Sequence, residues 1–252
     1  TLLPPQVLYK ETVSAPVVGC GHYEPLRHYA EAHLRLSPGK RGEGITFESR
    51  CHVDDLHISY QSLIRSHVFE RVHPGVLTGS PLTDIHVELL SGRAHLKHTE
   101  GGDFRESTYR AIRQGLMKTK CILLEPFYRF DLILPADCLG RAMTDIIARH
   151  GSHQAPDMDS ETVRLTGRGP VSAFLDYATQ VRAYSHGKGS ILFQPDGYDV
   201  CHNPEEVIGR IGYNCGADVQ NPTGSVFCSH GAGFYVNWDE ADSYMHLPVE
   251  QP

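Results

Sequence analysis

No apolar run in this 252-residue chain approaches the roughly 20 residues that a membrane-spanning helix needs; Cys121 to Leu124 is among the longest. The stretch Thr1 to Tyr9 has neither the basic start nor the apolar core of a secretory signal. Phosphate-cradling loops are missing, since nothing matches G-x-x-x-x-G-K-[ST] or a strand-linked G-x-G-x-x-G. Alone, the chain is therefore not expected to bind or hydrolyse a nucleotide. H-E-x-x-H and G-x-S-x-G are also absent, which removes any self-contained catalytic signature. There is no C-x₂-C pair, no internal repeat and no low-complexity segment. The seven cysteines are odd in number and irregularly spaced. That favours free thiols in a reducing compartment over a disulfide framework.

What remains is a globular composition: 40% hydrophobic and 21% charged residues exclude a disordered or fibrous chain. The net charge of −7 is unevenly spread. From Asp196 to Pro252 nine acids face Arg210 alone, a balance of −8, so residues 1–195 carry 22 bases against 21 acids. The acidity belongs to the tail, and a nucleic-acid partner for the rest stays open. A strongly basic, sequence-indifferent DNA binder is excluded. Thr1 is not Met, and Thr1 to Pro5 reads like a mid-protein joint, so a piece of a longer protein is expected.

Patterning predicts strands at 7–13 and 28–36, the latter half exposed, and a returning hairpin strand at 45–50. A helix at 56–72 is expected to be capped by Asp54 or Asp55, with Ile58, Leu63, Ile64, Val68 and Val72 as its apolar stripe. A strand at 83–90, a polar loop at 93–103 and a helix at 104–120 follow. The next segment reads strand 122–134, helix 137–150, strands 151–156 and 162–168, helix 171–184 and strand 189–193. That βαββαβ order is the split-βαβ, ferredoxin-like pattern.

Three groups of residues invite a functional reading. Arg93, His95, Leu96, Lys97, His98, Thr99, Glu100, Gly101 and Gly102 form a Gly-containing loop between a strand and a helix. Its cations and imidazoles suit RNA phosphates and bases, although a solvated loop with Thr99 or Asp103 as helix caps has the same sequence. Gly19, Cys20, Gly21, His22 and Tyr23 form a second such cluster, with a plain connecting loop as its alternative. In the tail, Cys201, Cys215, Cys228 and His230 supply enough ligands for a tetrahedral zinc site. Their gaps of 14 and 13 residues between successive cysteines fit no standard spacing, and buried free thiols are the plainer reading. A nucleophilic Cys228 and His230 pair lacks any evident orienting group.

Several stretches resemble a known family. YKETV (Tyr9 to Val13) and HYEPLRHYAEAHLRLSPGKRGEGITFES (His22 to Ser49) are similar to the opening of domain IV in the elongation factor G superfamily. VLTGSPLTDIHVELLSGRAHLKHTEGGDFRESTYRAIRQGLM (Val76 to Met117) resembles its continuation, and LLEPFYRFDLILPADCLGRAMTDIIARHG (Leu123 to Gly151) the start of domain V. GRAHLKHTEGGDFR and SVFCSHGAGF (Ser225 to Phe234) point to the branch of tetracycline-resistance ribosomal protection proteins.

The resemblance implies an α+β chain: a ribosomal-protein-like domain IV at 1–120, a ferredoxin-like domain V at 121–195 and an acidic C-terminal extension at 196–252. It implies a cytoplasmic, ribosome-binding, non-enzymatic part of a translational GTPase whose GTP and Mg sites lie in a domain N-terminal to Thr1. The partner would be the small subunit, chiefly 16S rRNA, with tetracycline displaced indirectly and neither DNA nor membrane involved. His95 aligns with the family's tip histidine, which implies contact with rRNA and not acid–base catalysis; 19–23 would form a neighbouring tip loop. The resistance proteins carry a Ser/Pro-rich apolar loop where this chain has the polar Leu96 to Gly102. A translation-factor paralogue without drug release is the alternative within the family, and a Cys/His metal-binding domain the alternative outside it.

Overall fold

The computed structural model describes residues 6–252. It divides into a larger unit, residues 10–123 with 205–252, and a smaller one built on 124–204. In the larger unit the chain runs through β1 (Lys10–Val13), β2 (Val17–Tyr23), β3 (Ala30–Pro38), β4 (Ile45–Ser49), α1 (Ile58–Phe69), β5 (Ile85–Ala94) and α2 (Asp103–Lys118). The smaller unit holds β6 (Cys121–Pro135) from Leu124 onward, α3 (Leu139–Ala148), β7 (Ser152–His153), β8 (Asp157–Met158), β9 (Thr162–Pro170), α4 (Val171–Phe174), α5 (Tyr177–Tyr184) and β10 (Ser190–Val200). The chain then adds α6 (Pro204–Ile211), β11 (Ser225–Ser229) and β12 (Ala232–Val236).

The smaller unit has the expected ferredoxin-like order. β6 is central, antiparallel to both β10 and β9, with β7 and β8 on the far edge of β9. Phe130, Leu132, Leu134, Ile146, Leu165, Phe174 and Tyr177 are its core. Two details differ from expectation. The helix expected over 171–184 is broken at Leu175 and Asp176, where the Arg149 guanidinium holds both the Ala173 carbonyl (2.6 Å) and the Asp176 carboxylate (2.8 Å). The last strand is longer than expected, so the extension boundary placed at 195/196 falls inside β10.

The larger unit's sheet has the order β12-β11-β2-β3-β5-β4. β4 is not the second strand of a hairpin: it pairs in parallel with β5, which lies between it and β3. One face of the sheet is apolar. Val17, Ala30, Ala32, Leu34, Leu36, Val87 and Leu89 pack there with Ile64 and Val68 of α1 and Phe104, Ile112 and Leu116 of α2. Ile58, Leu63 and Val72 of the expected stripe point outward and are exposed. The cap of α1 is His57, whose Nδ1 accepts from the Ser59 N–H, and not an aspartate.

The opposite face carries the polar half of the β3 alternation, Glu31, His33 and Arg35. Solvent exposure was the sequence expectation, yet Glu31 and His33 are buried, and the C-terminal segment bonds to Glu31 through its His246 and Leu247 N–H groups. Met245 and Val249 pack on Val18, Cys20 and Leu90. β11 adds to the sheet beside β2 through Val226 and Tyr23. Polar residues of α2 hold the same segment: Gln114 donates to the Trp238 carbonyl and Asp242, and Lys118 pairs with Asp242 at 2.6 Å.

The segment 19–23 is therefore not a tip loop. It forms most of β2 and is almost wholly buried. Its two glycines answer to packing: a Cβ on Gly19 would lie 1.9 Å from the Ala111 carbonyl oxygen, and one on Gly21 1.8 Å from that of Ser107. Only glycine lets the α2 backbone lie this close to the strand.

Candidate nucleic-acid interface

Of the loop read from sequence, Arg93 and Ala94 still belong to β5, and residues 95–102 form the turn into α2. His95, Leu96, Lys97, His98, Glu100, Gly101 and Gly102 are exposed, and Thr99 is half-buried. Leu96 is fully exposed at the tip. An apolar side chain left in water costs transfer free energy that a partner surface recovers.

The loop is nevertheless tightly built. The His95 N–H donates to Thr99 Oγ1 (2.8 Å), the Lys97 N–H to His95 Nδ1 (3.2 Å), and the His98 and Thr99 N–H groups to the His95 carbonyl. The His95 and His98 rings stack with centroids 4.5 Å apart and planes at 16°. At the far end the Glu100 N–H donates to Asp103 Oδ2 at 2.8 Å, and Gly102 takes φ 138°, a conformation open to glycine. Neither Thr99 nor Asp103 caps α2, whose N-cap Gly102 has no side-chain bond. They anchor the loop to Tyr29 instead. Thr99 Oγ1 donates to the Tyr29 carbonyl (2.7 Å), and Asp103 accepts from the Tyr29 N–H and faces His28 Nδ1 at 2.8 Å.

Among the described residues no ion pair engages Lys97 or Arg93. Arg105, in the first turn of α2, is by contrast spent on Glu70 at 2.7 Å, and its guanidinium pushes the Glu70 carboxyl down to about 2. Beside the loop opens a hollow of about 250 Å³ lined by Tyr60, His67, Gly101, Gly102, Phe104 and Arg105. A wider groove of about 590 Å³ lies elsewhere, between α2 and the extension, with Met117, Tyr235 and Trp238 in its walls. The loop places no nucleophile against a base. Its cations, stacked imidazoles and exposed leucine suit contact with a polyanion that also offers flat apolar rings.

The tail candidates do not converge. Cys201 is buried after β10, Cys215 Sγ lies 3.7 Å from Met117 Sδ, Cys228 pairs across β11–β12 with Gly233, and His230 sits at the hairpin tip with φ 52°. None of the four belongs to a cluster of three or more possible metal ligands among the described residues. The clusters that do occur are His22, Glu31 and His246, and Glu48, His86 and Glu88. In the second, Arg50 (2.7 Å) and Arg35 (3.3 Å) already neutralise Glu88.

In the first cluster, sequence reasoning singled out His22 but missed Glu31 and His246 and their convergence on it. Glu31 accepts from four donors: His22 Nδ1 (2.7 Å), His33 Nε2 (3.0 Å) and the backbone N–H groups of His246 (2.9 Å) and Leu247 (2.8 Å). Contacts this short are direct hydrogen bonds. Ligand atoms 2.0–2.1 Å from a tetrahedral zinc stand about 3.3 Å apart. Burial alone would raise the Glu31 carboxyl, but His22, His33 and His246 hold it well below the usual carboxylate range. Burial and the neighbouring His22 lower the His246 pKa, and its Nδ1 lies within hydrogen-bond distance of the Tyr29 hydroxyl at 2.7 Å. The sequence traces of this set were His22, read there as part of a loop, and the polar phase of β3, with no sign of the distant partner His246.

Comparison with known proteins agrees with this architecture. Residues 5–120 match the family model for elongation factor G domain IV, and residues 122–207 that for the elongation factor G C-terminus. The chain is 28% identical over 215 residues to elongation factor G 2 of Desulfotalea psychrophila, covering 82% of this chain and 31% of that protein. It thus spans about a third of the length of that relative. A crystal structure of a Thermus thermophilus protein superposes with a TM-score of 0.72 at 22% identity, over 82% of this chain and 32% of that one, which shows a shared fold.

Proposed function

With residues 5–120 and 122–207 belonging to the elongation factor G family as its domain IV and C-terminal domain, we propose that this chain is the ribosome-binding part of a translational GTPase. The loop 93–102 is the element that enters the small-subunit decoding centre and meets 16S rRNA. The observation that carries this is the preorganised, outward loop with Leu96 bare at its tip and the His95–His98 stack behind it. Arg93 and Lys97 supply phosphate contacts, each contributing a salt slope of about 0.7–0.9. A loop already held by Thr99 and Asp103 avoids most of the ordering cost on binding.

In this reading the chain works in the cytoplasm, is itself non-catalytic, and depends on GTP and Mg bound by a domain outside it. The finer assignment is ribosomal protection: the loop evicts tetracycline from the decoding centre and GTP hydrolysis releases the factor. The polar and charged stretch Lys97 to Glu100 favours a second reading, an elongation-factor-like paralogue that reaches the same RNA without displacing drug. The test is release of labelled tetracycline from ribosomes by the GTP-loaded full-length protein, with and without His95→Ala and Lys97→Glu. GTP-dependent release that both substitutions abolish supports protection. Ribosome-stimulated GTP turnover without release selects the paralogue.

A further inference from the structure

We propose that the C-terminal extension is the brace that sets the tip loop, and that Tyr29 and His246 are the positioning residues through which it acts. This rests on the reading of loop 93–102 as the RNA-contacting element but makes a separate structural claim. Tyr29 stands between β2 and β3 and is held on every side. Its N–H donates to Asp103, its carbonyl accepts from Thr99, and its hydroxyl meets His246 Nδ1 at 2.7 Å. Its ring meets His22 edge-on at 5.2 Å and lies 6.1 Å from His95. The two loop anchors and the extension therefore converge on one residue.

His246 is itself fixed by Glu31, 215 residues away in sequence, which accepts its N–H and that of Leu247. Phe227 of β11 stacks on His22 at 4.3 Å and 9°, closing the same cluster from the side. Arg35 reaches the Gln251 carbonyl at 3.4 Å and Glu250 at 3.8 Å, continuing the attachment to the end of the chain. Through Tyr29 this chain of contacts reaches both anchors of the loop and the His95 ring. Its effect is to hold Tyr29, and through Tyr29 both anchors of the loop. Neither family match reaches beyond residue 207, so the brace is built from sequence outside the matched domains.

Amide hydrogen exchange on the 252-residue chain tests this. The reporters are the His95 and Glu100 N–H groups, bonded to Thr99 and Asp103, with the Leu34 amide of β3 as the global control. Tyr29→Phe and His246→Ala are expected to speed loop exchange about tenfold or more with the control unchanged. His246→Asn, which keeps a side-chain acceptor near the Nδ1 position, restores protection. Affinity for purified 30S subunits should fall in the first two variants and recover in the third. Loop exchange unchanged in both Tyr29→Phe and His246→Ala overturns the brace, and so does loss of protection that spreads equally to Leu34. If loop exchange responds as expected while the unaltered chain fails to bind 30S subunits, the brace stands and the ribosome reading falls.

Discussion

The two faces of the larger unit's sheet are covered by different chemistry. On the helix face, Leu34, Leu36, Leu89, Ile112 and Leu116 are fully buried, and each such side chain contributes about 1.5–3 kcal/mol on leaving water. On the extension face the central group is a buried carboxylate, Glu31, which is tolerable only because four donors replace its water. Apolar packing is non-directional, and many sequences satisfy it. The polar cluster is directional: each donor has one acceptor, so it fixes where residues 246 and 247 lie. The first face supplies stability, and the second supplies position, which a loop that must meet its partner preformed requires.

The largest effect is expected where the helix face tolerates no added atom. Gly21→Val sets a Cβ 1.8 Å from the Ser107 carbonyl oxygen and 2.6 Å from the Ala111 nitrogen, both backbone. Urea titration should show a loss above about 4 kcal/mol or no folded protein. A loss below about 1 kcal/mol would mean that α2 is free to lift from β2.

A direct contest between the faces comes next. Glu31→Ala strands His22, His33 and two backbone N–H groups and should cost about 3–5 kcal/mol. Leu34→Ala on the other face should cost about 2–5 kcal/mol. A Glu31 loss within about 0.5 kcal/mol of zero, as at an open surface, would remove the cluster from the account.

Acidity separates the faces further. Because the folded-state pKa of Glu31 is depressed, its contribution is fully present above the unfolded value of 4.5 and is lost as the pH falls through the lower folded value. Stability measured from pH 6 to pH 3 should drop by a component that is missing in Glu31→Gln and intact in Leu34→Ala. The smallest effect belongs to the tip: Lys97→Glu removes no internal contact and should shift stability by no more than about 0.5 kcal/mol in the same titration.

The same contrast explains what was legible in the sequence. The βαββαβ order of the smaller unit and the apolar phase of β3 follow from periodicity, which local residues determine. The turn 95–102 was legible, though not its exact start, because turn residues sit between a strand and a helix. The Gly19 and Gly21 pair was misread because a glycine admitting a helix backbone and a glycine making a turn look alike in sequence. Glu31 and His33 were misread as solvent-facing for a related reason. Polar alternation marks a face without an apolar cover, and nothing local reveals that a segment 215 residues away brings hydrogen-bond donors to it. The charge count placed the acidity in the tail but gave no sign that Asp242 is committed to Lys118 and Gln114.

The most direct measurement is the salt dependence of binding between the 252-residue chain and purified 30S subunits, for the unaltered chain and for Lys97→Glu. The account predicts measurable affinity that falls linearly in log–log form with salt, and a charge-reversed variant that binds more weakly with a slope reduced by about 0.7–0.9 or more. Equal affinity and equal slope for the two chains would contradict contact between loop 93–102 and ribosomal RNA.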